Sequence, residues 1–294
     1  MTQTVLIVGA TGMLGRRIAH HLVRSPQARV RLLVRDPHGK KEVLDPLAAK
    51  GAEVVAGDLS DAASLDRATR GVDVIVSAVQ GGPEVIVEGQ VRLAEIGKRN
   101  AVRRILPSDY ALDLFKATPG EHTMFDMRAQ ADARIAETGL EQVNVLQGGF
   151  MELFMPGKGA IDLEAGTVSF FGDGHRPVEV TSVEDTARMV ARAALDRALA
   201  AGKFAFAGDR VSFRQAGEIV ARQSGRPIRP VSLGSEADLR ALMAQADPHQ
   251  QVMLAYLLYM TNGQTALTGL QNDRYGDLKL QGFADFVARQ GERS

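Results

Sequence analysis

Thr4 to Leu22 reads TVLIVGATGMLGRRIAHHL, and the fold follows from how this stretch is read. Val5, Leu6, Ile7 and Val8 form an unbroken aliphatic run without polar alternation, the pattern of a short strand covered on both faces in a parallel sheet. Gly9, Ala10, Thr11, Gly12, Met13, Leu14 and Gly15 follow at once. Ile18, Ala19 and Leu22 then recur at helical spacing, so the glycines fall where a strand turns sharply into a helix. Gly9 allows the tight turn, Gly12 lets the backbone approach a pyrophosphate with no Cβ in the way, and Gly15 lets the helix lie close on the sheet. The leading amides of that helix and the positive end of its dipole face the phosphates, with Thr11, Met13 and Leu14 lining the cradle beside the glycines. Three spaced glycines are a weak motif by themselves in a chain with 30 of them; the strand before and the helix after carry the reading.

The composition is that of an ordinary globular protein: 294 residues, 45% hydrophobic and 24% charged, enough for one large or two modest domains. Lys plus Arg and Asp plus Glu both number 35, so no net field recruits nucleic acid or an anionic membrane, and neither is expected as a partner. The absence of cysteine excludes disulfides, a thiolate nucleophile and cysteine-ligated metals. His20, His21, His175 and His249 show no metal spacing, and no metal is expected. Met1 to Thr4 carries no basic region and no segment approaches the length of a membrane span, so a cytoplasmic protein is expected.

Taken in order, the chain alternates strand and helix. Val30 to Val34 is the second strand, closing on Arg35 and Asp36. An acidic residue at that distance from the glycines holds a ribose 2′-OH, whereas an arginine accommodates a 2′-phosphate. Arg35 comes first, and His38, Lys40 and Lys41 add positive charge, so NADP(H) is expected over NAD; the alternative is a solvated basic loop with Asp36 on the ribose. Glu53 to Ala56 is the third strand, with Asp58 and Leu59 at its end to border the adenine, unless Asp58 is a turn or cap residue. Val72 to Ala78 is the fourth, so Ser77, Ala78, Val79 and Gln80 are expected to line the cofactor's centre. Pro83 opens a helix running to about Arg99, before a fifth strand, Arg104 to Leu106. These alternations define an α/β class with a doubly wound parallel sheet.

At Leu106, Pro107, Ser108, Asp109 and Tyr110 the sequence, together with GATGMLG and Arg35, resembles the PSEFG-like segment of the NmrA-like and isoflavone reductase-like atypical short-chain dehydrogenases. The resemblance is clear up to Met155 and holds in outline beyond. It implies an NADP(H)-binding Rossmann domain over 1–150, with a return around 177–207, and a smaller α+β C-terminal substrate domain over 151–294. It also implies Pro107 and Ser108 at the cofactor and Asp109 and Tyr110 near the reacting groups. The reductase branch reduces phenylpropanoid-type or other aromatic substrates; the regulatory branch binds the dinucleotide without known turnover.

The usual short-chain dehydrogenase pair, Tyr followed four positions later by Lys, is absent: Leu114 follows Tyr110, and Met260 and Gly263 follow Tyr256 and Tyr259. The related branch carries a lysine early in the helix after the PSEFG-like segment, and Arg128 holds the matching position. A guanidinium stays protonated and cannot be a general base, though it can hydrogen-bond a nicotinamide ribose or stabilise an oxyanion. Arg128 and Tyr110 are the candidate catalytic pair, with Asp109, His122 or water as other proton sources. Against this, Thr123 with Asp126 fits a capping box and Gly139 a C-cap, which would make Arg128 an ordinary helix residue and His122 a cap-adjacent one.

Val143 to Leu146 is a sixth strand, after which Phe150, Met151, Phe154 and Met155 either wall an apolar substrate pocket or form interdomain core. Phe170 to Gly174 suggests a hairpin over the site, and Ser182 with Asp185 a helix cap. From Ser235 the chain reads as helical, with VMLAYLLYM (252–260) as a core helix, a lid or a dimer face. Two functions remain. One is an NADPH-dependent reductase transferring a hydride to a small apolar, aromatic carbonyl or alkene; the other is a non-catalytic NADP(H)-sensing regulator. A small-molecule substrate is the expected partner, with a homodimer left open.

Overall fold

The structure, a computed structural model, describes residues 2–155 and 159–291. The chain divides into two compact units. The first holds the residues up to Tyr110, Met127–Val145 and Thr186–Phe204; the second holds Ala111–Asp126, Leu146–Asp185 and the residues from Ala205 on. The chain leaves the first unit after Tyr110, comes back at Met127, and comes back again only at Thr186, a narrower return than 177–207.

In the first unit β1 (Gln3–Val8), α1 (Gly15–Leu22), β2 (Ala28–Val34), α2 (Lys41–Ala48), β3 (Glu53–Ala56), α3 (Ala62–Thr69), β4 (Val74–Ser77), α4 (Gln90–Arg99) and β5 (Arg104–Leu106) alternate. The greater part of α5 (Thr123–Glu137), β6 (Glu141–Leu146), α6 (Val183–Leu195) and a last strand, Gly202–Ala205, complete it. The sheet runs Gly202–Ala205, β6, β5, β4, β1, β2, β3, and the first six strands pair parallel. Val5, Leu6 and Ile7 are fully buried, as their unbroken aliphatic run requires, and Ile18, Ala19 and Leu22 of α1 are buried as well. Strand order reverses between β1 and β4, and in such sheets ligands bind at the carboxyl ends of the strands at that point.

The helix expected from Pro83 to Arg99 is two pieces. Glu84–Gly89 forms a π turn, and α4 starts only at Gln90. π turns concentrate at functional sites, and this one has a structural cause described below. The expected capping box at Thr123 and Asp126 does not form: Thr123 already lies in α5, the His122 Nδ1 faces the Phe125 N–H at 3.4 Å, and the Asp126 carboxylate accepts the Gly120 N–H at 3.1 Å. Arg104, fully buried, donates to the Asp196 and Leu199 carbonyls at 2.6 and 2.5 Å, satisfying orphan acceptors beyond the end of α6.

The second unit contains two three-stranded sheets, Asp209–Val211 with Val178–Thr181 and Gly149–Phe150, and Arg229–Ser232 with Thr167–Phe170 and Ile161–Asp162. The expected hairpin at Phe170–Gly174 is absent. Thr167–Phe170 pairs instead with the strands on either side of it, and the Gly172 N–H is taken by the Gly234 carbonyl at 2.7 Å. Ser182 does cap its helix, accepting the Asp185 N–H at 3.0 Å. Helix Pro248–Asn262 follows a break at Asp247, whose carboxylate caps it, and it buries Ala255, Leu258 and Tyr259 on one face while Met253 is exposed. Among the described residues, no helix is long and apolar enough to cross a membrane.

Candidate functional site

The turn from β1 to α1 is a cradle that side chains would fill. Gly9 has φ +84°, and a Cβ there meets the Ala78 carbonyl oxygen at 2.3 Å; a Cβ on Gly15 meets the Gly9 oxygen at 2.2 Å. Gly12 is different. Its Cβ would stand 3.3 Å from the Gly9 oxygen with its outer side open, so it marks the face offered to a ligand. The Gly12 N–H donates to Gly9 O at 3.0 Å, and the Arg16 N–H donates back to Gly12 O at 3.1 Å, so the amides of Met13, Leu14 and Gly15 head the helix. Ala78 N–H donates to Val8 O at 2.9 Å and pins the ends of β1 and β4 together. Backbone donors, a dipole end and no Cβ are what a diphosphate needs.

At the end of β2, Asp36 has one carboxylate oxygen engaged by its own loop. Its Oδ1 accepts the Gly39 N–H at 2.9 Å, folding the carboxylate over the turn that carries His38 and Lys40. Arg35 keeps its side chain 83% exposed, with Nε 4.0 Å from Asp58 Oδ2. Asp58 accepts from the Ser60 amide and hydroxyl at 2.7 and 2.6 Å, which, with the charge of Arg35, hold its carboxyl below the usual range. It is thus a turn residue as well as a neighbour of Arg35. Leu59 lies in the hydrophobic core with Leu6 and Leu93, so only its backbone is left to face a ligand.

The ends of β4 and β5 are joined by a strut of polar side chains. The Gln90 Nε2 donates to Ile86 O at 2.9 Å inside the π turn, and its Oε1 accepts the Ser108 N–H at 2.9 Å. Ser108 Oγ in turn donates to Val79 O at 2.8 Å. The extra residue of the π turn therefore brings Gln90, fully buried, level with the loop after β5. Ser77 is buried, Ala78 and Val79 are half-buried, Gln80 is exposed and Pro107 is buried, so the open part of this edge is Ala78 to Gln80.

Tyr110, expected near the reacting groups, is tied into the sheet edge. Its hydroxyl donates to Ser77 O at 2.9 Å, and burial, then the neighbouring Asp109, push its pKa well above the ordinary tyrosine value. A more weakly acidic phenol tethered to a carbonyl is a strap between β4 and β5. Asp109, expected near the reacting groups, is 1% exposed, with Oδ2 accepting the Asn144 Nδ2 at 2.9 Å. Burial raises its carboxyl to about 6, against the opposing pull of Asn144 and Arg128. Arg128 is buried too, its Nη1 donating to Asp109 O at 3.2 Å. Asp132, one helical turn on in α5, is buried and raised well above the ordinary value by burial and by the charge of Asp109, and Gln142 Nε2 donates to its Oδ1 at 2.9 Å.

In the second unit His122 is packed between rings, stacked on Phe125 with centroids 4.0 Å apart and edge-on to Tyr256 at 4.4 Å, an environment of core rather than of chemistry. Met151 and Phe154 are buried, and Phe154 packs on Phe213 and Phe283 with centroids 5.5 and 6.1 Å apart. They belong to the second unit's own core, while Phe150 and Met155 stay half-buried. A shallow cavity of about 270 Å³ is lined by Glu121, Thr123, Arg240, Met243 and Gln251, but Arg240 is already paired with Glu121 and Glu236. Among the described residues no group of acidic or histidine side chains is arranged to hold a metal.

Gln90, Asp132, Gln142 and Asn144 were not foreseen from the sequence. A signal existed for three of them. Gln142 and Asn144 fall two apart on one face of a strand whose other face is Val143 and Val145, and Asp132 follows Arg128 at helical spacing.

Such a sheet, with a glycine cradle at its switch point and a basic residue ending its second strand, defines a dinucleotide-binding α/β protein. The NmrA-like family model matches residues 1–271, and the chain belongs to that family. Bifunctional pinoresinol-lariciresinol reductase 1 of Linum usitatissimum is 27% identical over 270 residues, covering 87% of this chain and 86% of that protein. Phenylcoumaran benzylic ether reductase IRL1 of Ginkgo biloba is 28% identical over 190 residues, and the match spans only 61% of its length. The solved structure of AtPrR2 with NADP+ and (+)pinoresinol superposes with a TM-score of 0.86 over 98% of this chain and 99% of that one, at 22% identity, a likeness of fold.

Proposed function

We propose that this protein is an NADPH-dependent reductase that transfers a hydride to a small aromatic carbonyl or alkene substrate. The observation that carries the coenzyme is the division of labour after β2: Asp36 is bonded to its own loop, while Arg35 presents an exposed guanidinium 4.0 Å from Asp58. Gly9, Thr11, Gly12, Met13, Leu14 and Gly15 would hold the diphosphate, Arg35 with Lys40 the 2′-phosphate, Asp58 and the Leu59 backbone the adenine side, and Ala78 to Gln80, backed by Pro107 and Ser108, the central section. The bound coenzyme supplies a hydride, and this chain's residues orient it and exclude water. Arg128 would hold developing negative charge, since a guanidinium cannot take up a proton. Family membership and the aromatic substrates named for the relatives support the substrate class. Phe150 and Met155 are the remaining candidates from their segment for an apolar wall. A cytoplasmic location belongs to the same proposal, supported by a cysteine-free composition that needs no oxidising compartment.

The second reading, a dinucleotide-sensing regulator without turnover, is favoured by one observation: Arg128 holds the expected lysine position while Tyr110 is tied to Ser77. Measuring NADPH oxidation against a panel of aromatic ketones, enones and quinones separates them. Turnover with any member supports the reductase. Tight NADPH binding with silence across the panel supports the regulator.

A further inference from the structure

The reaction proposed above draws only on Arg128 from a buried polar cluster in the first unit, made of Asp109 after β5, Arg128 and Asp132 on α5, and Gln142 and Asn144 on β6. Asn144 Nδ2 donates to Asp109 Oδ2 at 2.9 Å, and Gln142 Nε2 donates to Asp132 Oδ1 at 2.9 Å; the Asp132 carboxyl lies close enough to feel both Asn144 and Asp109. One oxygen on each carboxyl is left over. Asp109 Oδ1 and Asp132 Oδ2 are buried with no hydrogen-bond donor among the described residues. Buried acceptors are normally satisfied, and two on neighbouring acids point to a common cause. With both acids ionised, the cluster with Arg128 carries one net negative charge in a place that water does not reach; with one proton added it is neutral. The same proton supplies the missing donor, because a protonated carboxyl has an O–H to give to its neighbour.

We infer that Asp109 and Asp132 hold one proton between them in the folded protein, forming a buried acid pair balanced by the guanidinium of Arg128. The groups that act on the pair agree. Burial is the largest influence on both and raises both; Asp109 acts further to raise Asp132; Arg128 and Asn144 oppose this without cancelling it. Tyr110, next to Asp109, is pushed away from ionisation and adds no charge. Gln142 and Asn144 from β6 are neutral. The inference goes beyond the proposed reaction and does not depend on it.

The sign of the pH effect follows. Below the ordinary aspartate value, about 4, the pair is protonated in both folded and unfolded chains. As pH rises past that value the unfolded chain releases the protons first, so stability falls, and it goes on falling until the folded pair has titrated, through about 6 for Asp109. Asp132→Asn cannot titrate and leaves a single carboxyl beside Arg128, which is then neutralised without a shared proton. The full-length protein is measured in two ways, by infrared spectroscopy in D₂O for the carbonyl band of a protonated carboxyl at about pH 6, where an ordinary aspartate is ionised, and by urea unfolding across the acid range. The wild type should show the band and a midpoint that falls with rising pH; Asp132→Asn should lose the band and flatten the fall. Asp58→Asn removes a carboxyl that is ionised in both states well above the ordinary aspartate value, so it should keep the band and the fall of stability near pH 6. Should Asp132→Asn not fold, Asp109→Asn provides the same two readouts. A wild type without the band, or a variant that keeps the wild-type pH dependence, overturns the inference. Neither readout requires coenzyme or turnover, so its failure is distinct from failure of the proposed reaction.

Discussion

The side-chain oxygen of Gln90 accepts the backbone N–H of Ser108 at 2.9 Å, and this bond ties the start of α4 to the loop that follows β5. Ser108 passes the restraint to Val79 through its hydroxyl, so two strand ends assigned to the coenzyme are held by one amide side chain. Gln90→Leu strands a buried N–H, which costs about 1–3 kcal/mol. The expected outcome is a loss of that order in urea unfolding together with weaker NADPH binding. Gln90→Glu keeps the acceptor for Ser108 and, as the neutral acid, a donor for Ile86 O, so it should recover part of the binding. An affinity unchanged in Gln90→Leu would leave the strut with a purely structural role.

Gly9 and Gly51 form a matched pair for testing the cradle. Both have positive φ, +84° and +91°, but a Cβ on Gly51 meets nothing within 4 Å, whereas a Cβ on Gly9 meets backbone at 2.3 Å. Gly51→Ala should cost only the left-handed strain, about 1–2 kcal/mol. Gly9→Ala adds a collision with the Ala78 carbonyl that no rotamer relieves, so a larger loss of stability and loss of NADPH binding are expected. Thermal unfolding and a coenzyme titration on both variants check this. Equal losses would mean that β1 and β4 can separate at that point.

Arg35 has one acidic neighbour, at 4.0 Å, and is otherwise exposed, so its removal should cost the free protein little. Its contribution is expected only with a 2′-phosphate present. Charge-assisted hydrogen bonds of this kind contribute about 1.5–3 kcal/mol, or roughly 10- to 100-fold in affinity. Arg35→Ser should lose that much NADPH binding and keep NADH binding within a few-fold. A variant that weakens both coenzymes alike would show that Arg35 recognises something common to them.

The parts legible in the sequence are those fixed by local pattern. The aliphatic run of β1, the glycines after it and the basic end of β2 each identify themselves within a few residues, because strand period, turn chemistry and charge are local properties. What was not legible depends on residues far apart in the chain. Nothing near Tyr110 reveals that its hydroxyl reaches Ser77, and nothing near Phe154 reveals that it packs on Phe283 rather than facing a substrate. The π turn was hidden for a different reason. Val85, Ile86 and Val91 fit a helical pattern, and the widened turn exists because Gln90 satisfies both Ile86 and Ser108, one of which lies beyond β5.

Arg128 offers the sharpest test between the two functional readings. Its Nη1 donates to Asp109 O, and a lysine at the same place would keep a positive charge beside the acid pair while forfeiting some of that bonding, at a cost of about 1 kcal/mol in stability. The two side chains differ in one respect that kinetics can read. A guanidinium does not titrate in the accessible range, whereas a buried ammonium loses its proton more readily than an exposed one. If Arg128 holds developing charge in a reductase, the wild type should turn over, and Arg128→Lys should stay within about 10-fold in kcat, a difference of roughly 1.4 kcal/mol. The variant should also acquire a limb in its pH–rate profile that the wild type lacks, because the lysine must carry its proton to take the arginine's place. A wild type that is silent on the whole panel beside a lysine variant that turns over would mean that the arginine removes a general acid–base group from an otherwise competent site, and the regulator reading would then stand in place of the reductase.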